Sequence, residues 1–187
     1  MTDEVIKFFR ESSEVKLSFA SFYADKIVEI AGIIATALKE RAKVLVFGNG
    51  GSASDAQHLA AELIGRFKSN RRPLPAIALS SDSSILTALG NDFGFESVFE
   101  RQLEALCMPG DIAIGISTSG KSQNVIRGIL KAKSLGATTI ALTGRDGGEL
   151  VKVAHYCLVV PSYDTARIQE CHITLMHVLC EIVEKEL

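Results

Sequence analysis

The sequence predicts an α/β fold, a three-layer flavodoxin-like sandwich built on a doubly wound, five-stranded parallel sheet. From Lys43 onward, short apolar runs rich in β-branched residues alternate with segments of helical periodicity. Few of these runs show polar alternation, as expected of strands that are buried on both faces of a parallel sheet. With 187 residues, the chain has the size of one domain with a sizeable core, and we predict a single domain over 1–187.

The first forty residues have apolar side chains that recur at intervals of three and four, which is typical of helices. We expect two helices in 1–40, with a break near Tyr23–Asp25. Together they present more apolar surface than a small domain needs. Their apolar faces either pack on the chain's own sheet or form an oligomer interface.

Five strands and four main helices are predicted in the α/β core, residues 43–187. The predicted strands are Val44–Phe47, Ala76–Leu79, Ile112–Ile116, Thr138–Leu142 and Tyr156–Val160. The predicted helices are Ser54–Phe67, Phe95–Leu106, Asn124–Leu135 and Arg167–Glu186, with a short helical turn after Gly148. In this architecture ligands bind beyond the carboxyl ends of the strands, so the loops that follow the strands are the expected functional sites.

Composition excludes several classes of protein. The chain has 20 basic and 22 acidic side chains and a net charge of −2, which supplies no electrostatic attraction to nucleic acid. Its longest uncharged stretches reach about eleven residues, short of the roughly 20 of a membrane helix, and no secretory signal is visible. The four cysteines form no C-x-x-C pair and are typical of reduced thiols. We therefore expect a cytoplasmic protein with no nucleic-acid partner and no membrane partner.

A glycine-rich segment, Gly48–Asp55, follows the first strand and leads into a helix. Glycines let the backbone approach an anion closely, and a helix N-terminus supplies free N–H groups. The segment also fits a relaxed dinucleotide fingerprint, but the window Lys68–Arg72, where an acidic residue should bind the ribose, is basic. We favour an anion-binding loop without a nucleotide cofactor; a dinucleotide loop and a purely structural turn are the alternatives.

A second polar loop follows the third strand and also leads into a helix. It carries four hydroxyl side chains, Ser117, Thr118, Ser119 and Ser122. One serine suffices to cap a helix, so the surplus favours a phosphate site over capping alone. A Walker loop is excluded because G-x-x-x-x-G-K-[ST] does not occur. After the second strand, Asn91 and Asp92 stand beside glycines, either as ordinary turn residues or as ligands of sugar hydroxyls.

Two helices carry residues that bind metals or transfer protons. His58 and Glu62 are four positions apart and project from one helix face, as an ordinary surface pair also would. The last helix carries Gln169 and His177; histidine and glutamate bind Zn²⁺ readily, and glutamine binds it more rarely. Gln169 and His177 are separated by about 12 Å along the helix axis. If both reach one metal ion, we expect two subunits to contribute.

The chain resembles the sugar-isomerase (SIS) domain family over essentially its whole length, and within it the phosphoheptose isomerases. The serine-rich loop is general to SIS domains, whereas His58 and Glu62 with Gln169 and His177 are much more specific. The matching stretches are FGNGGSASDAQHLAAEL from Phe47, LGNDFGFESVF from Leu89, GISTSGKSQNVI from Gly115, ALTGRDGGEL from Ala141 and ARIQECHITLMHVLCEIVE from Ala166.

The resemblance implies a ketose–aldose isomerase. The expected reaction converts sedoheptulose 7-phosphate to D-glycero-D-manno-heptose 7-phosphate through an enediol, the first step of the nucleotide-activated heptose synthesis that serves lipopolysaccharide. The resemblance also implies one Zn²⁺ per subunit and a homotetramer with active sites between subunits. The positions that match substrate-binding residues are Asn49, Gly50, Gly51, Ser52, Glu62, Asn91, Asp92, Ser117, Thr118, Ser119, Ser122 and Gln169. The positions that match zinc ligands are His58, Glu62, Gln169 and His177, and those that match the catalytic acid–base pair are Glu62 and His177.

One segment departs from the better-known enzymes of this family. Ser162–Ala166 is shorter by a residue and lacks an acidic residue just before Arg167. A related branch that binds the bacterial replication initiator shares the two loops, but it lacks the acid and the histidine that match Glu62 and His177. We therefore expect the enzyme; a non-catalytic initiator-binding protein and another sugar-phosphate isomerase or sensor are the alternatives.

Overall fold

The computed structural model describes all residues 1–187 and has the predicted doubly wound architecture. Five parallel strands form one sheet in the order β2-β1-β3-β4-β5, so the winding direction reverses between β1 and β3. The strands are β1 Val44–Gly48, β2 Ala76–Ala78, β3 Ile112–Ser117, β4 Thr138–Gly144 and β5 Tyr156–Val160. The five predicted strands are confirmed; β5 has the predicted bounds, and the other four differ by one or two residues at the carboxyl end.

Seven helices accompany the sheet. They are α1 Thr2–Lys39, α2 Gly51–Ile64, α3 Ser83–Phe93, α4 Val98–Leu106 after a 3₁₀ turn at Phe95–Ser97, α5 Gln123–Ser134, α6 Leu150–Val153 and α7 Thr165–Glu186. None of them is long and apolar enough to cross a membrane.

Helices cover both faces of the sheet, and alternate side chains of the central strands enter two separate cores. In β1, Val44 and Val46 pack with α1, α2 and α7, whereas Leu45 and Phe47 pack with α4 and α5. Every residue of β3 is buried. Burial on both faces is the physical reason why the strand sequences show no polar alternation.

The predicted break near Tyr23–Asp25 is wrong, because α1 is one continuous helix from Thr2 to Lys39. Its second half is buried against the sheet and α7, through residues such as Ile27, Ile30 and Ile34. Most side chains of the first half are exposed. The apolar pattern therefore changes where the helix passes from exposed to buried surroundings. Residues 2–31 contain no glycine or proline that would end the helix.

Two further expectations need correction. Helix α2 begins at Gly51 and ends at Ile64, three residues earlier at each end than predicted. The last residues of the glycine-rich segment are already helical. Asn91 and Asp92 lie in the last turn of α3 and are not turn residues; the chain changes direction at Gly94, which has a φ of +84°. That left-handed conformation strongly favours glycine.

Candidate active site and metal centre

The two predicted loops begin side by side at the carboxyl edge of the sheet. We call residues 48–52 the glycine loop and residues 117–122 the serine loop. Gly48 of β1 pairs with Ile116 of β3, and a Cβ at position 48 would lie 2.8 Å from the Ile116 carbonyl oxygen. Only glycine permits this approach. Both loops therefore lie where the winding direction of the sheet reverses, which is where doubly wound folds bind ligands.

A hydrogen-bonded pair of amides, the buried Asn124 and the half-buried Asn49, joins the glycine loop to the helix that follows the serine loop. Asn49 Nδ2 donates to Asn124 Oδ1 at 2.9 Å, and Asn124 Nδ2 donates to Asn49 Oδ1 at 2.8 Å. Asn124 Oδ1 also accepts from the Val125 N–H at 3.0 Å. Asn124 is not among the predicted site residues, because its only signal in the sequence is a polar side chain in the first turn of α5 before an apolar run. This pair fixes the distance between the two loops.

The serine loop has hydroxyl groups that its own helix does not use. Ser122 is the N-cap residue of α5, yet its side chain makes no capping hydrogen bond. Its Oγ lies 3.0 Å from the Oγ of Ser117, and Ser119 Oγ accepts from the Lys121 N–H at 3.2 Å. Thr118 is half-buried and its hydroxyl makes no hydrogen bond within the chain. Hydroxyl groups at a helix N-terminus form an arrangement that suits a phosphate group.

The loop after β4 supports the serine loop from behind. Gly120 has a φ of +64°, and a Cβ there would overlap the carbonyl group of Gly147. The Gly120 carbonyl accepts from the Glu149 N–H at 2.9 Å. The same close approach accounts for Gly148, where a Cβ would lie 2.6 Å from the carbonyl group of Gly120.

Asn91 and Asp92 remain apart from the two loops within the single chain. Both are exposed at the end of α3, and Asn91 Nδ2 donates to Asp92 Oδ1 at 2.7 Å. Helix α3 has no buried residue, and no hydrogen bond joins either side chain to the glycine loop or the serine loop. Their predicted part in substrate binding stays a prediction.

Three of the four predicted metal ligands meet between α2 and α7. His58 Nε2 lies 3.1 Å from Glu62 Oε1 and 3.3 Å from His177 Nε2. All three ligand atoms lie within 4.8 Å of one another. The ring of Phe67 stacks on His177 with the ring centroids 5.5 Å apart. Two imidazoles and a carboxylate are a donor set that zinc prefers, so these side chains fit a zinc ion.

The fourth predicted ligand, Gln169, lies elsewhere in the same chain. Its side-chain amide contacts Gly51 at the start of α2, where a Cβ would overlap it. His177 lies two turns further along α7, beside His58. Within one chain, Gln169 therefore belongs to the glycine loop and not to the His58–Glu62–His177 cluster.

A buried carboxylate anchors the segment that brings Phe67 to His177. Glu184 accepts from the N–H groups of Phe67, Lys68 and Ser69 at 2.8–2.9 Å and from Arg71 Nε at 2.9 Å. Burial raises the pKa of Glu184, but these hydrogen bonds and the Arg71 charge outweigh it and hold the pKa at about 2. Glu184 is not among the predicted site residues, because nothing in its local sequence distinguishes it from a surface glutamate.

Two further titratable groups are buried close to the site. Burial lowers the pKa of His172 to about 4, and its Nε2 lies 3.1 Å from the Thr143 carbonyl oxygen. The ring is therefore neutral at neutral pH and joins α7 to the end of β4. Burial also raises the pKa of Asp55 to about 6, although the charge of His58 acts to lower it. Asp55 Oδ2 has no hydrogen-bond partner.

Comparison with known proteins identifies close relatives. A SIS domain model matches residues 7–144. A phosphoheptose isomerase of Aquifex aeolicus is 71% identical over 185 residues, which cover 99% of this chain and 97% of the relative. The structure of a phosphoheptose isomerase from Neisseria gonorrhoeae superimposes with a TM-score of 0.92 at 42% identity, and that of one from Francisella tularensis with 0.94 at 38%. Each superposition covers 98% of both chains.

Proposed function

This chain belongs to the SIS-domain family and, within it, to the phosphoheptose isomerases, and from this premise we propose that it converts sedoheptulose 7-phosphate to D-glycero-D-manno-heptose 7-phosphate. The observation that carries the proposal is the cluster of His58, Glu62 and His177, whose ligand atoms lie within 4.8 Å of one another. An isomerase needs a base and an acid at the same carbon atoms, and this cluster places a carboxylate and an imidazole together.

The phosphate group of the sugar would bind at the serine loop. The unused hydroxyl of Thr118 and the uncapped N-terminus of α5 support this assignment, because phosphate oxygens accept several O–H and N–H hydrogen bonds at once. The glycine loop lies beside it and is held there by Asn49 and Asn124. The chain of the sugar would then extend from the serine loop along α2 toward Glu62.

Glu62 would transfer the proton between the two carbon atoms. As the base it removes a proton from C1, while O2 takes a proton and the cis-enediol forms. Glu62 then returns a proton to C2 as O1 loses its own proton, which leaves the aldehyde at C1. His177 would donate the proton that O2 takes and accept the proton that O1 loses. This pairing is supported by the ligand atoms of Glu62 and His177, which lie within 4.8 Å of each other.

The His58–Glu62–His177 cluster would hold one zinc ion per subunit, with Gln169 as the remaining ligand. Bound zinc would supply Lewis-acid polarisation of the sugar oxygens. Within one chain Gln169 contacts Gly51, about 12 Å along α7 from His177. We therefore propose that the Gln169 of a neighbouring subunit completes each metal site.

We propose that the chain assembles as a homotetramer with active sites between subunits. The support is the set of large apolar side chains that α1 leaves exposed, among them Phe9 at 75% and Phe22 at 79%. Contiguous exposed apolar surface of this kind marks association sites. The full set is Val5, Ile6, Phe8, Phe9, Leu17, Phe22 and Val28.

The biological role that we propose is the supply of heptose for lipopolysaccharide in the cytoplasm. All four cysteines are free, and no pair of them forms a disulfide, which agrees with a reducing compartment.

The comparisons give no support to the alternative of an initiator-binding protein, since the close relatives are named isomerases.

The decisive experiment is to incubate the zinc-loaded protein with sedoheptulose 7-phosphate in D₂O and to analyse the sugar by mass spectrometry and NMR. We expect an aldoheptose 7-phosphate that carries deuterium at the transferred position. The Glu62→Gln variant should fold normally and lose turnover. Near-normal kcat in this variant would refute Glu62 as the base.

Two other outcomes would change the proposal. Product without deuterium would keep the activity but require a shielded proton transfer or a hydride shift. Absence of product, with the phosphosugar still raising the melting temperature, would indicate a sugar-phosphate sensor.

A further inference from the structure

One half-buried carboxylate on the helix that carries two of the metal ligands has a buried oxygen atom without a partner in the chain. Asp55 lies near the start of α2, three positions before His58, and its Oδ2 is buried without a hydrogen bond. A buried carboxylate oxygen that lacks a donor is costly to the fold. The two nearby polar side chains bond elsewhere: Ser80 donates to the Ala53 carbonyl, and Gln57 donates to the Ser80 carbonyl.

The orientation of His58 leaves one donor unused on the same helix. Its Nε2 faces Glu62 Oε1 and His177 Nε2, so Nε2 is the nitrogen that a metal ion would bind. A ring that binds a metal through Nε2 carries its proton on Nδ1. The structure gives Nδ1 of His58 no hydrogen-bond partner.

Helix geometry places the side chains of Asp55 and His58 on one face of α2, although no hydrogen bond joins them in this structure. Side chains three positions apart on a helix are neighbours on one face. Histidines that bind metals usually donate their second ring N–H to a carboxylate, which fixes the tautomer and the ring orientation.

We propose that Asp55 is the positioning residue of the metal centre, accepting a hydrogen bond from Nδ1–H of His58 and so directing Nε2 toward the metal. The inference rests on the zinc site proposed above. Asp55 would act by orienting His58 and would not contact the substrate. Loss of the carboxylate should weaken metal binding without harm to the metal-free fold.

The test measures zinc affinity of the full-length protein by competition with a chelator of known affinity. We expect Asp55→Leu to bind zinc about 10- to 100-fold more weakly, the range typical of lost outer-sphere carboxylates. Asp55→Asn retains an amide oxygen that can accept the hydrogen bond and should fall between Asp55→Leu and the wild type. Asp3→Asn, which alters an exposed carboxylate far along the sequence, should bind zinc as the wild type does.

Two further readouts separate this role from a structural one. In ¹⁵N-histidine NMR of the zinc-loaded protein, the Nδ1 proton of His58 should exchange slowly in the wild type and rapidly in Asp55→Leu. The metal-free melting temperature of Asp55→Leu should equal or exceed that of the wild type, because the substitution removes an unpaired buried carboxylate.

The outcomes that would overturn the inference are distinct from failure of the proposed function. If Asp55→Leu binds zinc within twofold of the wild-type affinity, the role of Asp55 is overturned and the proposed function is not. The same holds if the metal-free variant melts at a temperature low enough for unfolding to explain its weaker zinc binding. A wild-type protein that isomerises the sugar but binds no zinc would overturn the metal centre and this inference together, and would leave the isomerase assignment intact.

Discussion

Asn49 and Asn124 exchange two side-chain hydrogen bonds, at 2.9 Å and 2.8 Å, although they are 75 positions apart in the chain. The pair joins the loop after β1 to the first turn of α5, on the two sides of the point where the sheet reverses its winding. Asn124 is only 4% exposed, so its amide has no water to replace a lost partner. The relative position of the glycine loop and the serine loop therefore depends on this pair.

Replacement of Asn124 should impair both stability and substrate binding. Asn124→Ala leaves the Asn49 amide and the Val125 N–H without their partner, which we expect to cost about 1–3 kcal/mol of unfolding free energy. The KM for the sugar phosphate should rise because the two loops are no longer held together. Urea denaturation and steady-state kinetics measure the two effects, with the exposed Asn70→Ala as control. A loss of less than about 0.5 kcal/mol would contradict the structural importance of the pair.

A methyl group at position 51 should displace Gln169. The Cβ of alanine would overlap the Gln169 side-chain amide, and the first turn of α2 leaves little freedom to avoid it. We expect Gly51→Ala to lower kcat and weaken zinc binding while the fold survives. In the control Gly32→Ala, the Cβ meets no atom within 4 Å, and the helical position should gain about 0.5–1 kcal/mol of stability. Normal kcat in Gly51→Ala would show that the contact has no part in function.

Glu184 should make the protein sensitive to acid in a defined range of pH. Its folded pKa is about 2, against an ordinary value of 4.5, so the folded state binds its proton less tightly than the unfolded state does. The resulting stabilisation is complete above about pH 4.5 and is lost as the pH falls toward 2. It amounts to roughly 3 kcal/mol at most.

Comparison of the wild type with Glu184→Gln isolates this contribution. The variant should be less stable at pH 7, and the difference between the two proteins should shrink between pH 4.5 and pH 2. His172 destabilises both proteins equally as the pH falls from 6.5 to about 4, so its effect cancels in the difference. Urea denaturation as a function of pH gives the curve. A difference that is constant with pH would mean that the charge of Glu184 is not what matters.

A charge on the exposed face of α1 should prevent assembly. Phe22 is 79% exposed in the single chain, so Phe22→Glu removes no contact with the core of its own subunit. In an apolar interface, however, the carboxylate would be buried without a partner. We expect a folded monomer by sedimentation equilibrium, with turnover lost because Gln169 of a neighbouring subunit is missing. A wild-type protein that is itself monomeric and active would contradict the proposed tetramer.

Features that depend on local periodicity and local chemistry can be read directly from the amino-acid sequence. Strands such as β3 are recognisable because a strand buried on both faces needs apolar side chains at every position. His58 and Glu62 share a helix face through their spacing alone. The serine loop is recognisable because it carries more hydroxyl side chains than a helix cap needs. The break near Tyr23–Asp25 was predicted wrongly because periodicity reports surroundings, and α1 passes from exposed to buried without ending.

Contacts between residues that are distant in the chain follow from the packing of whole helices and strands. His177 reaches His58 across 119 positions because α2 and α7 pack together on one face of the sheet, and Glu184 is buried because the segment after α2 folds onto α7. No local pattern distinguishes these residues from surface histidines and glutamates. Local sequence encodes helices, strands and their buried faces, whereas contacts between elements depend on how those faces pack across the whole sheet. For that reason the loops and the fold were predictable, and the pairs Asn49–Asn124 and Gly51–Gln169 were not.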